Sequence, residues 1–597
     1  MSSQSQITQS EEEKKMSKGE TKSNAPAGSL ISAQRSYIDK MLSNVNDMKV
    51  LLLDDETTQM VSMIYSQTDI LKRQVFLTDK LFNTRTERMM HLKALVYVRP
   101  TDDNIRLLTK ELSNPKYKEY HLYFSNVVGK DKLATLARAD EHEVITNIYE
   151  YYADYFAINH DLFTLNITNS LLNSLPRSRW DANQQTSFSR QVQGCMSALL
   201  SLKWKPIIRY QGSSELAQQF SRTLQQQIVT ENKLFTFGSR SSNQPILLVL
   251  DRRDDPVTPL LTQWTYQAMV HELVGLTHNR VNLENAKGIK KDMREVVLSC
   301  VEDEFFNLHM YDNFGDLGSA CKDFLALYQR KYKDNQKIES IEDMQNFVER
   351  YPQFKALSNN VSKHVAVVGE LSRLVAEHNM MDQSQLEQEL ACDDDHTSQL
   401  RTLKTLLEDP NLAGIDALRL VMLYSLRYED RSSNQTEALK RTLSTRSDSL
   451  PQSRISLINT ILEYSGTAKR GSDLYGQNKS ILSNLTKTLN KGINGVENVY
   501  TQHKPMLSEV LDTLVKGKLK DASFPYAREG VTQRGKATDV MIFMVGGTTY
   551  EEATIVHEFN KINAGKVKVV LGGPHVHNSK SYMEELTTLG QKTRSGY

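Results

Sequence analysis

The hydrophobic pattern first becomes regular at "MKVLLLDDETTQMVSMIYSQTDILKRQVFLT", residues 48–78. A short apolar run is followed by apolar residues at helical spacing and then by a second short run, which predicts strand, helix, strand. "KALVYVRPTDDNIRLLTKEL" repeats the theme, with a strand over 94–98 that ends at Pro100 and a helix that starts near Asp102. "YHLYFSN" adds a further strand, and a short helix over roughly 33–45 precedes them all. Strands alternating with amphipathic helices imply a parallel sheet covered on both faces. The first domain is therefore expected over 31–140, after an N-terminal tail, 1–30, whose Ser, Gln, Glu and Lys bury too little surface to fold.

Residues 141–256 continue in the same manner, with helices expected at 141–156, 187–202 and 213–229 and a buried strand at 246–251. From 257 to about 525 the pattern becomes long helical periodicity, broken by polar stretches at 391–398 and 431–454. Strand–helix alternation returns at "DVMIFMVGGTTYEEATIVHEFNKI" and "KVKVVLGGP", within 526–597. A helical block bracketed by α/β segments predicts an insertion, with the last strands completing the sheet begun before it. No period of 20–50 residues recurs, which excludes a solenoid.

A chain of 597 residues is too long for one core. Its 73 Lys+Arg balance 72 Asp+Glu, which gives no basic face for nucleic acid. Cys195, Cys300, Cys321 and Cys392 lie far apart without C-x-x-C spacing, so neither a disulfide scaffold nor a thiolate zinc site is expected, and a reducing cytosol suits them. No apolar run approaches the ~20 residues needed to cross a bilayer, and the N-terminus lacks the apolar core of a signal peptide. Membrane contact is expected through partners.

Catalytic motifs mostly fail. His142–Glu143, His271–Glu272 and His557–Glu558 each lack the second histidine of H-E-x-x-H. "GTAKRGSD" (466–473) has Ser472 where a P-loop needs lysine. Gly546–Gly547 follows a strand and precedes a helix, a turn that can hold phosphate but reads better as an ordinary helix start with Thr548 or Thr549 as cap. His575 and His577, at i, i+2, are a possible metal pair. In "PILLVLDRRDDPVTPLL" (245–261) a buried strand runs into Asp251, Arg252 and Asp254. An aspartyl phosphotransferase would need an acid where Arg253 stands, so the cluster reads better as partly buried ion pairs at a strand end. The alternative left open is a metal- or phosphate-dependent hydrolase using Asp251 or His575 and His577.

The same stretch, extended to "LLVLDRRDDPVTPLLTQWTYQAMVHELVGL", resembles the signature of the SM family, the syntaxin-binding Sec/Munc-like regulators of membrane fusion. "YVRPTDDNI", "FVERYPQFKALSNNVSKHVAVVGELSRLV" and "FMVGGTTYEEATIVHEFN" are similar to it in the same order, so the resemblance spans about 33–590. It implies an arch of three domains, with a helical third domain inserted into the second. It also implies a non-catalytic protein with no cofactor or metal that acts as a monomer. The expected partners are a syntaxin-like, Qa-type SNARE and the assembled SNARE complex, with a Rab effector as a further one. The expected place is the cytoplasmic face of trans-Golgi network, endosome or vacuole membranes.

Two sites follow from this resemblance. In "GKDKLATLARADEHEVITNIYEYYADYF", Leu133, Leu136 and Ala137 share one helix face, and Ile145 and Ile148 are expected to share a face of the next helix. The groove between them, rimmed by Glu143 and Glu150, corresponds to the pocket for the short N-terminal peptide of syntaxin. The residues by themselves suit closure of the domain core better, and only the resemblance turns the reading toward the pocket. Two amphipathic helices within about 300–360, carrying Phe324, Leu327 and Tyr328 and then Met344 and Phe347, correspond to the hairpin that lays out a SNARE helix. By themselves their stripes better suit packing on their own domain.

Overall fold

The computed structural model describes residues 28–83, 87–237, 244–289, 291–335, 341–446, 448, 450–471, 500–533 and 535–595, with side chains except at 292 and 331–354. The expected N-terminal tail lies almost entirely outside them.

The first sheet is built from β1 (Lys49–Leu53), β2 (Val75–Lys80), β3 (Met89–Val98), β4 (Tyr117–Phe124) and β5 (Ile145–Glu150). Its order is β2-β1-β3-β4-β5 and every pairing is parallel. Helices α1 (Leu30–Asn44), α2 (Asp55–Ile64), α3 (Asp102–Ser113) and α4 (Lys130–Ala139) cover it. Both faces of a parallel sheet are buried this way, which is why β1 is apolar at nearly every position. Val50, Leu52, Val96 and Leu122 face one core with Ile105 and Leu108 of α3 and Leu136 of α4. Leu51, Leu95 and Tyr97 face another, which continues into the next unit.

The first sheet thus runs on to Glu150, past the limit expected at 140, and the helix expected over 141–156 is instead the edge strand β5 and a loop. The Asp140 carboxylate accepts from the backbone N–H of Val144 and of Ile145, at 2.9 and 3.0 Å, and stops α4 in a turn. The β-branched and aromatic run "ITNIYE" then pairs with β4.

The second sheet takes β6 (Phe156–Ala157), β7 (Leu162–Thr164), β8 (Ile207–Tyr210) and β9 (Ile246–Asp251), with α5 (Ala182–Leu202) and α6 (Glu215–Thr230) beside them. The chain leaves it at Asp251. A small hairpin, β10 (Arg280–Asn282) with β11 (Glu295–Val297), and long helices including α7 (Phe314–Asn335) and α8 (Ile341–Glu377) follow. The chain re-enters as β12 (Asp539–Val545), a short β13 (Thr548–Thr549), α9 (Tyr550–Ile562), β14 (Lys568–Gly573), β15 (Val576–His577) and α10 (Ser579–Arg594). The order is β6-β7-β14-β12-β9-β8, and β12 lies parallel to β9, pairing Val540 with Ile246 through to Val545 with Asp251. The inserted helical block and the split sheet are as the pattern required. A separate core joins the block's Leu418, Val421 and Ile458 to Leu586 of α10, so the insertion is packed against the returning chain. No helix among the described residues is long and apolar enough to cross a membrane.

Candidate functional site: a groove beside an edge strand

Leu133, Leu136 and Ala137 do share α4, but they do not share an environment. Leu136 is fully buried in the core under the sheet, Leu133 is half-buried against that core, and Ala137 is exposed. Across from them stands β5, not a helix. A register shift sets Ile145 opposite Tyr120, Asn147 opposite His121 and Ile148 opposite Leu122. The shift fits three β5 residues against two of β4, so Ile145 and Ile148 face the same side although they are three apart. That spacing imitates a helix in the sequence. Ile145 is half-buried and Ile148 is 39% exposed.

Leu133 and Ile145 both pack against the first core, Ile148 lies exposed on the same side of β5, Ala137 is exposed on α4, and Leu136 belongs to the core beneath. Glu150, at the end of β5, accepts from Val128 N–H at 2.8 Å with one carboxylate oxygen and from Tyr152 O–H at 2.9 Å with the other. Glu143 is exposed in the α4–β5 turn, in the left-handed region with φ 53°. On the opposite face of β5, Tyr149 stacks on Tyr123 of β4 at 5.1 Å between ring centres.

Asp251, Arg252 and Asp254 do not pair with one another as expected, although Asp254 Oδ1 lies 3.8 Å from Arg253 Nε. Arg252 is wholly buried and its guanidinium binds the Glu552 carboxylate, the Gly547 carbonyl at 3.1 Å and the Asp255 carbonyl at 3.0 Å. Burial opposes this charge, but Glu552 and Asp255 hold its pKa above the ordinary value. Asp251 instead accepts from Ser214 O–H at 2.6 Å and from Arg253 N–H at 3.0 Å. Asp254 accepts from Ser213 O–H at 3.2 Å and Gly471 N–H at 3.3 Å; burial and then nearby Asp251 push its pKa up to about 6. Nothing along the chain marked Glu552 as the partner of Arg252, from which it lies 300 positions away.

The hydrolase parts are spent on structure. Thr549 caps α9 in a reciprocal box with Glu552, and Gly546 and Gly547, at φ 85° and 99°, make the tight turn. His577 is fully buried with Nε2 3.0 Å from the Gly546 carbonyl and Nδ1 3.2 Å from Ser581 Oγ, while His575 packs beside it at 5.2 Å between ring centres. Among the described residues no three His, Cys, Asp or Glu side chains are placed to hold a metal ion.

In the hairpin, Phe324 of α7 is buried and stacks on Phe305 at 4.7 Å, so it anchors the hairpin's base rather than offering a contact face. Leu327 and Tyr328 are half-buried, and the side chains of Met344 and Phe347 on α8 lie outside the described residues. Beneath the hairpin the buried Asp303 carboxylate accepts from His364 Nε2 at 2.9 Å, from Asn360 Nδ2 at 3.2 Å and from Lys363 Nζ. Tyr266 O–H reaches His364 Nδ1 at 2.8 Å. Buried charge hubs such as this one and Arg99–Asp154–Arg190 were not foreseen, because their members lie on different elements.

The Sec1 family matches residues 49–585. Vacuolar protein sorting-associated protein 45 of Rattus norvegicus is 48% identical over 568 residues, covering 95% of this chain and 97% of that protein. Its counterpart in Dictyostelium discoideum is 44% identical over 94% of this chain and 96% of that protein. Among solved structures, "SM Protein Vps45 in Complex with Qa SNARE Tlg2" superposes with a TM-score of 0.86 at 42% identity, covering 94% of this chain and 98% of that one. The Unc18–syntaxin 1 complex from Monosiga brevicollis, 18% identical over 94% of this chain and 99% of that one with a TM-score of 0.75, shares the fold. Both sheets, the inserted helices and the buried strand-end arginine fall inside these matches, and the chain belongs to the Sec1 family.

Proposed function

We propose that this protein binds a syntaxin-like, Qa-type SNARE and promotes SNARE assembly in vesicle fusion between Golgi, endosomes and vacuole. The observation that carries this reading is the 42% identical Vps45 structure, solved with the Qa SNARE Tlg2, which superposes over nearly the whole chain. The groove between α4 and β5 is read as the pocket for the SNARE's N-terminal peptide, an apolar side chain entering between Leu133 and Ile148. The outer face of the hairpin, including Leu327 and Tyr328, is read as the surface on which a SNARE helix is laid. The protein is read as a non-catalytic monomer of three domains, held at its membranes by partners, with the assembled SNARE complex and a Rab effector among them.

The test is retention of the cytosolic region of a Qa-SNARE by purified full-length protein. Wild type should retain it, and Leu133→Arg should lose the isolated N-terminal peptide while keeping wild-type folding. A folded Leu133→Arg protein that binds the peptide as well as wild type removes the groove from the mechanism. Turnover of a phosphoester that disappears in folded Asp251→Ala would restore the hydrolase alternative.

A further inference from the structure

In an open parallel sheet, ligands bind outside the carboxyl ends of the strands. The two sheets treat this place in opposite ways. Outside β9 and β12 the crevice is filled: Arg252 lies against Gly546 and Gly547, and Leu171 and Tyr464 close over Gly546. Outside β3 and β4 of the first sheet it is open, as a cleft of about 880 Å³. Residues that follow those strands, Arg99 and Asn126 among them, form one side, and α5 and α6 of the second unit form the other. Asp154 lies at the bottom, fully buried and held by Arg99 Nε at 3.0 Å and Arg190 Nη2 at 3.1 Å.

The chemistry of the lining narrows what fits. No aromatic ring lines the cleft, so it has no platform for a nucleobase. Its cations have no surplus: Arg99 and Arg190 are answered by Asp154 and Glu56, Lys132 by Asp102, and Glu231 adds a further acid. That argues against a phosphate. Half of the lining is neutral amide and hydroxyl side chains, five of each, including Ser189 and Gln193 of α5 and Gln226 and Gln227 of α6. Among the described residues these four side chains are bonded to no other protein group, which leaves their donors and acceptors available together. Paired donors and acceptors are what a peptide main chain needs.

The cleft also adjoins the elements that carry the proposed groove. Lys132 and Gly129 line the cleft, and Leu133, read as a wall of the peptide groove, is the next residue on α4. At the same end Glu150 clasps Val128, and Asp154, four positions on, is already the cleft floor. A chain leaving that groove past the first turn of α4, where Gly129 and Lys132 stand, would meet the cleft.

We propose that the cleft is the second half of the peptide site: it takes the polar stretch that follows the SNARE's N-terminal peptide and holds its main chain through the α5 and α6 side chains. This rests on the groove being the peptide pocket. The experiment measures binding of full-length protein to two labelled peptides by fluorescence anisotropy. One is the short N-terminal peptide of a Qa-SNARE; the other carries the next ten or so residues, about 33 Å when extended. The long peptide should bind wild type about tenfold more tightly, the gain of one or two net hydrogen bonds beyond the cost of ordering it. Ser189→Trp and, separately, Gln226→Trp should remove that advantage and leave the short peptide unchanged. Equal binding of the two peptides to wild type, or an advantage that survives both tryptophans, overturns the proposal and leaves the groove standing. Failure of both peptides on wild type overturns the groove reading and this proposal with it.

Discussion

Arg252 and Glu552 form a fully buried, two-oxygen ion pair that ties the end of β9 to the first turn of α9. The pair bridges the place where the chain departs into the helical insertion and the place where it has returned.

Breaking one side of that pair strands a charge in the core. Glu552→Ala should destabilise the protein by about 3–5 kcal/mol in urea denaturation, and Arg252→Met by a similar amount. The double variant Arg252→Met with Glu552→Met should recover much of the loss. Asp251→Ala removes only an acceptor for Ser214 and Arg253 N–H, and about 1–3 kcal/mol is expected. An Asp251 variant that costs more than the Arg252 variant would reverse this ranking.

The two leucines of α4 should separate cleanly. Leu136→Ala opens a cavity in the first core and should cost about 2–5 kcal/mol of stability. Leu133→Ala, at the half-buried wall, should cost less stability and more peptide affinity. Thermal melting and peptide titration on the same two proteins check this, and parallel losses in both measurements would contradict it.

Asp303 governs how the base of the hairpin sits. Burial opposes its ionisation, but His364 and Lys363 hold its pKa below the usual carboxylate range, so it accepts from α8 as an anion. Asp303→Asn keeps the shape and weakens charge-assisted bonds worth about 1.5–3 kcal/mol. Hydrogen exchange should quicken over 355–377 and stay unchanged in β1, β3 and β4.

Histidine burial sets the acid limit. His575 is held down to about 4 by burial, and His271 to about 3 by burial and then by His575. Their folded pKa values lie below the unfolded value of about 6.5, so the unfolded chain takes up protons first as pH falls. The stability they contribute is complete above about pH 6.5 and is lost progressively toward pH 4. For His575 the loss is on the order of 3 kcal/mol. Melting temperature should fall over that window, and the fall should be shallower in His575→Gln; equal slopes would remove His575 from the cause.

The sequence by itself determined the strands that are buried on both faces, the caps and the insertion. Runs such as "KVLLL" and "VMIFMV" admit few other readings once a turn residue follows them. Thr549 with Glu552 shows its cap within four residues. Those signals are local, and their energies are set by near neighbours in the chain. Tertiary structure decided the rest. Ile145 and Ile148 read as a helix face because only pairing with β4 inserts the extra residue that brings them to one side of a strand. Leu136 and Leu133, alike in the pattern, are parted by what packs over them. Arg252 finds Glu552, and Asp303 finds His364, across the folded core, because a buried charge is stabilised by whichever partner the fold brings within reach, and no spacing along the chain records that partner.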